Sequence, residues 1–363
     1  MFIQDVPSNR KFWVVRSDGG AYYNHFLANS LVAIGHLDNM DYSQSALINS
    51  EENQRLLIEY RRSLIENNEQ PASASNKAGQ VFRFINEMSI GDYIITLSSN
   101  RIVVGTITSQ PYKSIDNVTI LNDDGSTNET LMHYSLRRDV IWGRSQDRSE
   151  LPLAINNSFR ANQTVFSANE HWKELNHWMS VAFISDDDAY ISSRIEQRDG
   201  INNLDIAQYA IIINKIEAIA ESFVRNSTEN MTNDDLIQLF NQTYRQLRTD
   251  RTFTVTTQQV FLSPGDLWAK ISGGRQKSLV FVCAFLMLFG TPITFSNEDD
   301  ENFISERRAA ILTMLNEVKA EEDFEDVKDG LQLRIPRQKI TEVSAQPISN
   351  QSDDYELDDF EGI

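Results

Sequence analysis

Gly91-Asp92-Tyr93-Ile94-Ile95-Thr96-Leu97, Ser98-Ser99-Asn100 and Arg101-Ile102-Val103-Val104-Gly105-Thr106-Ile107 read as a strand, a tight turn and a second strand. β-branched and aromatic residues dominate both runs, and small polar residues separate them. Moving outward, Arg10–Arg16 is a similar strand, closed by the turn Ser17-Asp18-Gly19-Gly20. Leu31–Gly35 is a further apolar run. Val118–Leu121 and Arg138–Trp142 add two strands around the turn-rich 122–126. Between them, Glu51–Glu66 places Leu56, Leu57, Tyr60, Leu64 and Ile65 at helical spacing. Pro71–Asn76 reads as a small-residue linker, and Val81–Met88 continues as helix. Several short strands with one helical insertion suit a small, partly closed barrel, which removes exposed sheet edges.

Past Trp178 the pattern changes to long helices. Asp186-Asp187-Asp188 reads as a boundary loop. Leu204–Val224 is a strongly apolar helix, and Thr232-Asn233-Asp234-Asp235 resembles a capping box opening a helix to about Arg248. Thr252–Leu262 alternates like a strand, and Phe303–Val318 is amphipathic. The expected class is α+β: a small β-barrel with a helical insertion over 1–180, then a mostly α-helical domain over 185–320. Residues 321–363 are acidic and polar and are expected to be disordered.

Charge divides along the same line. The chain carries 33 Lys and Arg against 52 Asp and Glu, a net −19. Residues 1–180 hold 16 basic against 20 acidic side chains, leaving 17 against 32 for the rest. Because affinity for nucleic acid rests on neutralising phosphates, any such contact is expected in the front half. The lone Cys283 points to a reduced, cytoplasmic compartment, and the N-terminal residues lack the features of a secretory signal.

The front half also resembles a known family. Phe12–Arg16, Phe26, Val32–Gly35, Ile90–Ile94, Arg101–Ile107, Tyr112, His133, Arg137–Trp142, Leu151-Pro152 and Thr164–Phe166 occur in order over half the chain. Together they resemble the PUA/EVE-like domain at the N-terminus of Mrr-type restriction proteins and other bacterial anti-phage defence proteins. The resemblance implies a PUA-like barrel that cradles a nucleotide or a modified base, in a sensor of foreign nucleic acid. A flipped base is held by stacking and by hydrogen bonds to its edge. The residue types for that are Trp13, Tyr22, Tyr23, Tyr93 and Trp142, with Arg16, Asp92 and Arg137 as polar readers. For any single aromatic, a core position is the commoner outcome.

No catalytic, metal or cofactor set emerges. None of the five histidines forms an i, i+4 pair or a His-x-Glu, and no Gly-x-Ser-x-Gly is present. Gly273-Gly274-Arg275-Gln276-Lys277-Ser278 lacks the glycines of a phosphate loop. Glu317-Val318-Lys319 with Asp300 upstream is the one nuclease-like string, and it lies on a helical pattern. Leu279–Phe289, extended to Phe295, is the longest apolar stretch. It reads first as a buried helix packed by Leu204–Val224, and second as a short inner-membrane span on activation. The leading expectation is therefore a defence-type sensor that reads a nucleotide or modified base and signals through a helical effector half. It would work by self-association or with other defence subunits. A membrane-perturbing effector and a divergent nuclease are the alternatives.

Overall fold

The structure, a computed structural model, describes residues 1–339 apart from 121–129, 152, 160–162, 199, 227, 229 and 261–264. After a two-residue strand, β1 (Gln4–Asp5), the chain enters a curled mixed sheet. Its strands are β2 (Phe12–Val15), β3 (Leu31–Ile34), β4 (Tyr93–Leu97), β5 (Arg101–Ile107), β6 (Tyr112–Lys113), β7 (Leu136–Trp142), β8 (Gln146–Asp147) and β9 (Val165–Ser167). They run in the order β3-β7-β5-β4-β2-β9, with β6 on β7 and β8 on β5. The path ends on β3 and β9 without closing, which makes the sheet a half-barrel. The quoted strand–turn–strand is its central hairpin, with Leu97 opposite Ile102. Of the 118–121 strand, Val118 makes only an isolated bridge to Met132, and residue 121 lies outside the described residues.

β2 and β4 pair in parallel, Phe12 opposite Tyr93 and Trp13 opposite Ile94. Side chains alternate across a strand, so this pair feeds two cores. Trp13, Val15 and Ile94 join the core under the helical insertion, whereas Phe12, Val14, Tyr93 and Ile95 join one with Leu175 and Met179. Covered on both faces, these strands are unbroken apolar runs rather than alternating ones.

The helices of this half are α1 (Tyr23–Ala28), α2 (Ser50–Glu66), α3 (Pro71–Phe82), α4 (Leu153–Ser158) and α5 (Trp172–Met179). Asn49 caps α2, accepting from the amides of Glu51 and Glu52. The expected linker at 71–76 is instead the first half of α3. Pro71 sits in its first turn, where a missing N–H costs nothing. One π turn, Arg83–Glu87, ends that helix.

The second half is helical, as expected, but it also contains a sheet. Strands β10 (Ala182–Ser185), β11 (Asp188–Ile195), β12 (Thr256–Val260), β13 (Gly265–Ile271) and β14 (Leu333–Arg334) form it, in the order β1-β10-β11-β13-β12 with β14 on β11. Asp186–Asp188 is thus no domain boundary. It is the turn of the β10–β11 hairpin, with Asp186 at φ 52°. β1 pairs in parallel with β10, so residues 4–5 belong to this second sheet and not to the half-barrel.

Helices α6 (Asn203–Arg225), α7 (Asn233–Asp250), α8 (Arg275–Leu288), α9 (Glu298–Glu321) and α10 (Phe324–Leu331) cover the sheet. The capping box at Thr232 is present, with Asp235 answering the cap amide. α8 is buried from Lys277 to Leu288 and packs on α6, α9 and β11. It is only 14 residues long, and Pro292 lies beyond its end. Segment 279–295 is therefore a core helix and its exit turn, and among the described residues no helix is long and apolar enough to cross a membrane. Residues 321–339 are not the expected disordered tail. Phe324, Val327, Leu331 and Leu333 are all buried, fastening α10 and β14 to the core. Residues 340–363 lie outside the described residues.

Candidate functional site

Two chain connections join the half-barrel to the second sheet, Val6–Phe12 on the way in and Asn169–Asn176 on the way out. Between them and the β10–β11 hairpin lies a cleft of about 630 Å³. That falls within the roughly 300–1,000 Å³ range of small-molecule sites. Arg10 and Lys11 stand on the first connection, Trp172 and Lys173 on α5, Tyr190 on β11 and Lys270 on β13. Asp186 and Asp188 are its acidic residues. In a chain of net −19, this wall carries more cations than anions.

Local geometry fixes these groups. Arg10 donates to the Tyr93 hydroxyl at 2.7 Å and lies over that ring, 4.7 Å from its centroid. Trp172 meets Tyr190 edge-on at 5.9 Å, and Tyr190 stacks on Phe183 at 4.6 Å. Lys270 pairs with Asp188 at 2.6 Å. That hydrogen bond raises the lysine above its ordinary value. Burial opposes ionisation of Asp188, but hydrogen bonds from Lys270 and Ser272 outweigh it and hold the carboxyl low. A second cavity of about 140 Å³ shares Lys173, Tyr190 and Lys270 and continues to Trp268 and Thr256–Gln258. His177 stacks on Trp268 at 4.6 Å beneath it. Burial, reinforced by Lys173, lowers its pKa to about 3, so the imidazole is neutral.

At the floor of the cleft, Asn176 is fully buried. Its Nδ2 donates to the Trp172 carbonyl at 2.8 Å, which fixes the amide's direction. Its Oδ1 has no partner. A buried acceptor left unpaired costs about 1–3 kcal/mol.

The residues expected from sequence lie elsewhere and do not converge on one cavity. Trp13 is 2% exposed and Tyr93 fully buried, so neither presents a face to a ligand. Asp92 accepts from Trp13 Nε1 at 2.9 Å and from the amides of Lys11 and Ser89, and so fixes the turn into β4. Tyr22 packs edge-on against His25 and Tyr134. Tyr23 bonds Ser145 at 2.7 Å, and Trp142 donates to the Phe26 carbonyl at 3.0 Å. Arg16 donates to the Phe159 carbonyl and lies over Phe166. Arg137 is buried, donating to the Tyr134 and Asp116 carbonyls and to Ser114. Tyr93 and Asp92 touch the cleft only indirectly, through Arg10 and the Lys11 amide.

Sequence reading passed over Trp172, Lys173, Asn176, Tyr190 and Lys270. They carry no local signal: α5 mixes four polar residues, Lys173, Glu174, Asn176 and His177, with four apolar ones. Of the nuclease-like string, Glu317 and Lys319 lie on α9, about 25 Å along that helix from Asp300, which pairs with Arg275. Among the described residues no group of His, Cys, Asp and Glu could hold a metal ion.

No curated protein and no solved structure matches the chain. Residues 13–169, from β2 to the end of the half-barrel, match the model of a family described only as a domain of unknown function, DUF8426.

Proposed function

We propose that this protein is a recognition protein whose cleft binds a nucleotide or a short single strand of nucleic acid. The observation that carries the reading is the buried side-chain oxygen of Asn176, unpartnered at the floor of a cleft rimmed by cations and aromatics. Lys and Arg suit a phosphate, the Trp172 ring suits a base face, and Asn176 Oδ1 accepts from an exocyclic amino group. A PUA/EVE-like character for the half-barrel is part of the same proposal and rests on the ordered motifs. On this reading the half-barrel supplies the scaffold and its two connections supply the contacts. Sensing of modified or foreign nucleic acid would follow, with the second half relaying occupancy.

Thermal melting with nucleoside monophosphates and with plain and modified oligonucleotides tests this. A true ligand raises the melting temperature by mass action. The shift should vanish in Asn176→Leu, while the free protein still unfolds cooperatively, because the loss of the hydrogen bond to the Trp172 carbonyl is offset by removal of an unsatisfied polar atom. If no nucleotide or oligonucleotide shifts the transition, the proposal fails.

A further inference from the structure

The same groove has a candidate occupant within the chain itself. Residues 353–361 read Asp-Asp-Tyr-Glu-Leu-Asp-Asp-Phe-Glu, six carboxylates interleaved with two aromatics and a leucine. No Lys or Arg follows Lys339. We propose that this acidic, aromatic segment docks in cis along the cleft, against Lys11, Lys173 and the Trp172–Tyr190 wall. There it competes with the anionic ligand. The inference rests on the reading of the cleft as an anion site.

Three observations support it. First, charge is complementary: the groove carries Arg10, Lys11, Lys173 and Lys270, and the segment offers the repeating negative charge and flat rings that suit such a surface. Second, the chain leaves the described fold one helix length from the site. Ile335–Lys339 form a strap in which Gln338 exchanges two hydrogen bonds with the Phe2 backbone. The Lys339 amide donates to the Met179 carbonyl at 2.8 Å. Met179 ends α5, one turn beyond Asn176 and two beyond Trp172. Third, the tether is long enough. α5 is about 12 Å long, and the fourteen-residue step from Lys339 to Asp353 covers about 20 Å as a flexible chain and over 40 Å extended. A segment tethered so closely has an effective concentration on the order of millimolar, so weak affinity suffices.

The test uses the full chain and a variant with all six carboxylates neutralised (D353N, D354N, E356Q, D358N, D359N, E361Q). A fluorescein-labelled oligothymidylate reports on the groove. The variant should bind it about tenfold tighter, and added free peptide 340–363 should reverse the gain. Equal binding by both proteins overturns the tail's role and leaves the nucleic-acid site standing. If neither binds the oligonucleotide, labelled peptide 340–363 is titrated into the neutralised variant. Binding that is lost in Lys11→Glu/Lys173→Glu then upholds the docking and sinks the nucleic-acid reading. Absence of peptide binding overturns the docking.

Discussion

Arg138 shows how much one side chain can carry. It is fully buried on β7 and donates to the carbonyls of Phe84, Ile85 and Met88 and, through Nη1, of Ser109. The first three acceptors lie in or just after the π turn that ends α3, so the guanidinium supplies the positive charge a helix C-terminus favours. Burial lowers its pKa to about 10, still far above neutrality, so the group stays charged. Arg138→Met should cost roughly 3 kcal/mol or more in urea unfolding, since several carbonyls lose their donor together. Arg138→Lys should recover only part, because one ammonium cannot copy a planar fork. Burial lowers His177 to about 3 and His36 to about 4, with Lys173 and Lys77 adding to it. Above about pH 6.5 both are neutral folded and unfolded, and nothing changes. Below it the unfolded chain takes protons that the folded one refuses, so stability falls by about 1.4 kcal/mol per pH unit for each histidine. The melting temperature should be level from pH 8 to 7 and drop steeply from 6 to 4. A flat profile would contradict the burial. Residue type alone could not show which arginine was which: Arg137 and Arg138 are neighbours, and strand alternation sends them to opposite faces.

At the level of elements, the sequence was most legible where a pattern has one physical solution. The central hairpin, the capped helix at Thr232 and the apolar α6 all stand where their residues put them. It was least legible where flanking residues argue two ways. Asp186–Asp188 looked like a boundary because three acidic residues rarely sit inside a fold. Here Asp186 and Asp187 turn a hairpin, and Asp188 opens β11 and pairs with Lys270. Pro71 opened what read as a linker and is a helix start. α8 shows the same tension inside the core. Lys277, opposite in character to the run it leads, is buried against Glu217 at 2.8 Å and Glu221 at 2.9 Å. Glu217 also accepts from the Thr254 and Val255 amides. Lys277→Met alone strands a carboxylate that is fully buried and should cost about 3–5 kcal/mol, whereas pairing it with Glu217→Gln should recover part of the loss. A double-mutant cycle in denaturant measures both. Additive effects would mean the two groups are not coupled.

For the molecule as a whole, the half-barrel is an insertion between two strands of one sheet. β1 precedes it and β10 follows it, and the two lie side by side. Arg275 fastens the arrangement, forking onto Asp5 at 3.1 and 3.0 Å while also holding Asp300. Those carboxylates raise the guanidinium's pKa further above its ordinary value. No local pattern announces this, because a two-residue strand is too short to carry a period. The candidate site was hidden for the same reason: its walls come from four separated stretches that only the insertion brings together. A chain beginning at residue 181 should therefore be insoluble by itself, its β10 edge open for pairing with other copies. Supplying residues 1–180 in trans should restore soluble material. Soluble, cooperative unfolding of 181–363 alone would refute the idea.

The placement of β1 also bears on synthesis. The ribosome delivers Gln4 and Asp5 long before β10 exists, and domains generally fold as units in order of emergence. The half-barrel can thus complete itself while the first strand of the other sheet hangs unpaired from its entrance. Only when residues 182–185 emerge does that strand find its neighbour, and the same event brings the two walls of the cleft together. The cleft is then completed late, only in a chain that has been read well past its midpoint.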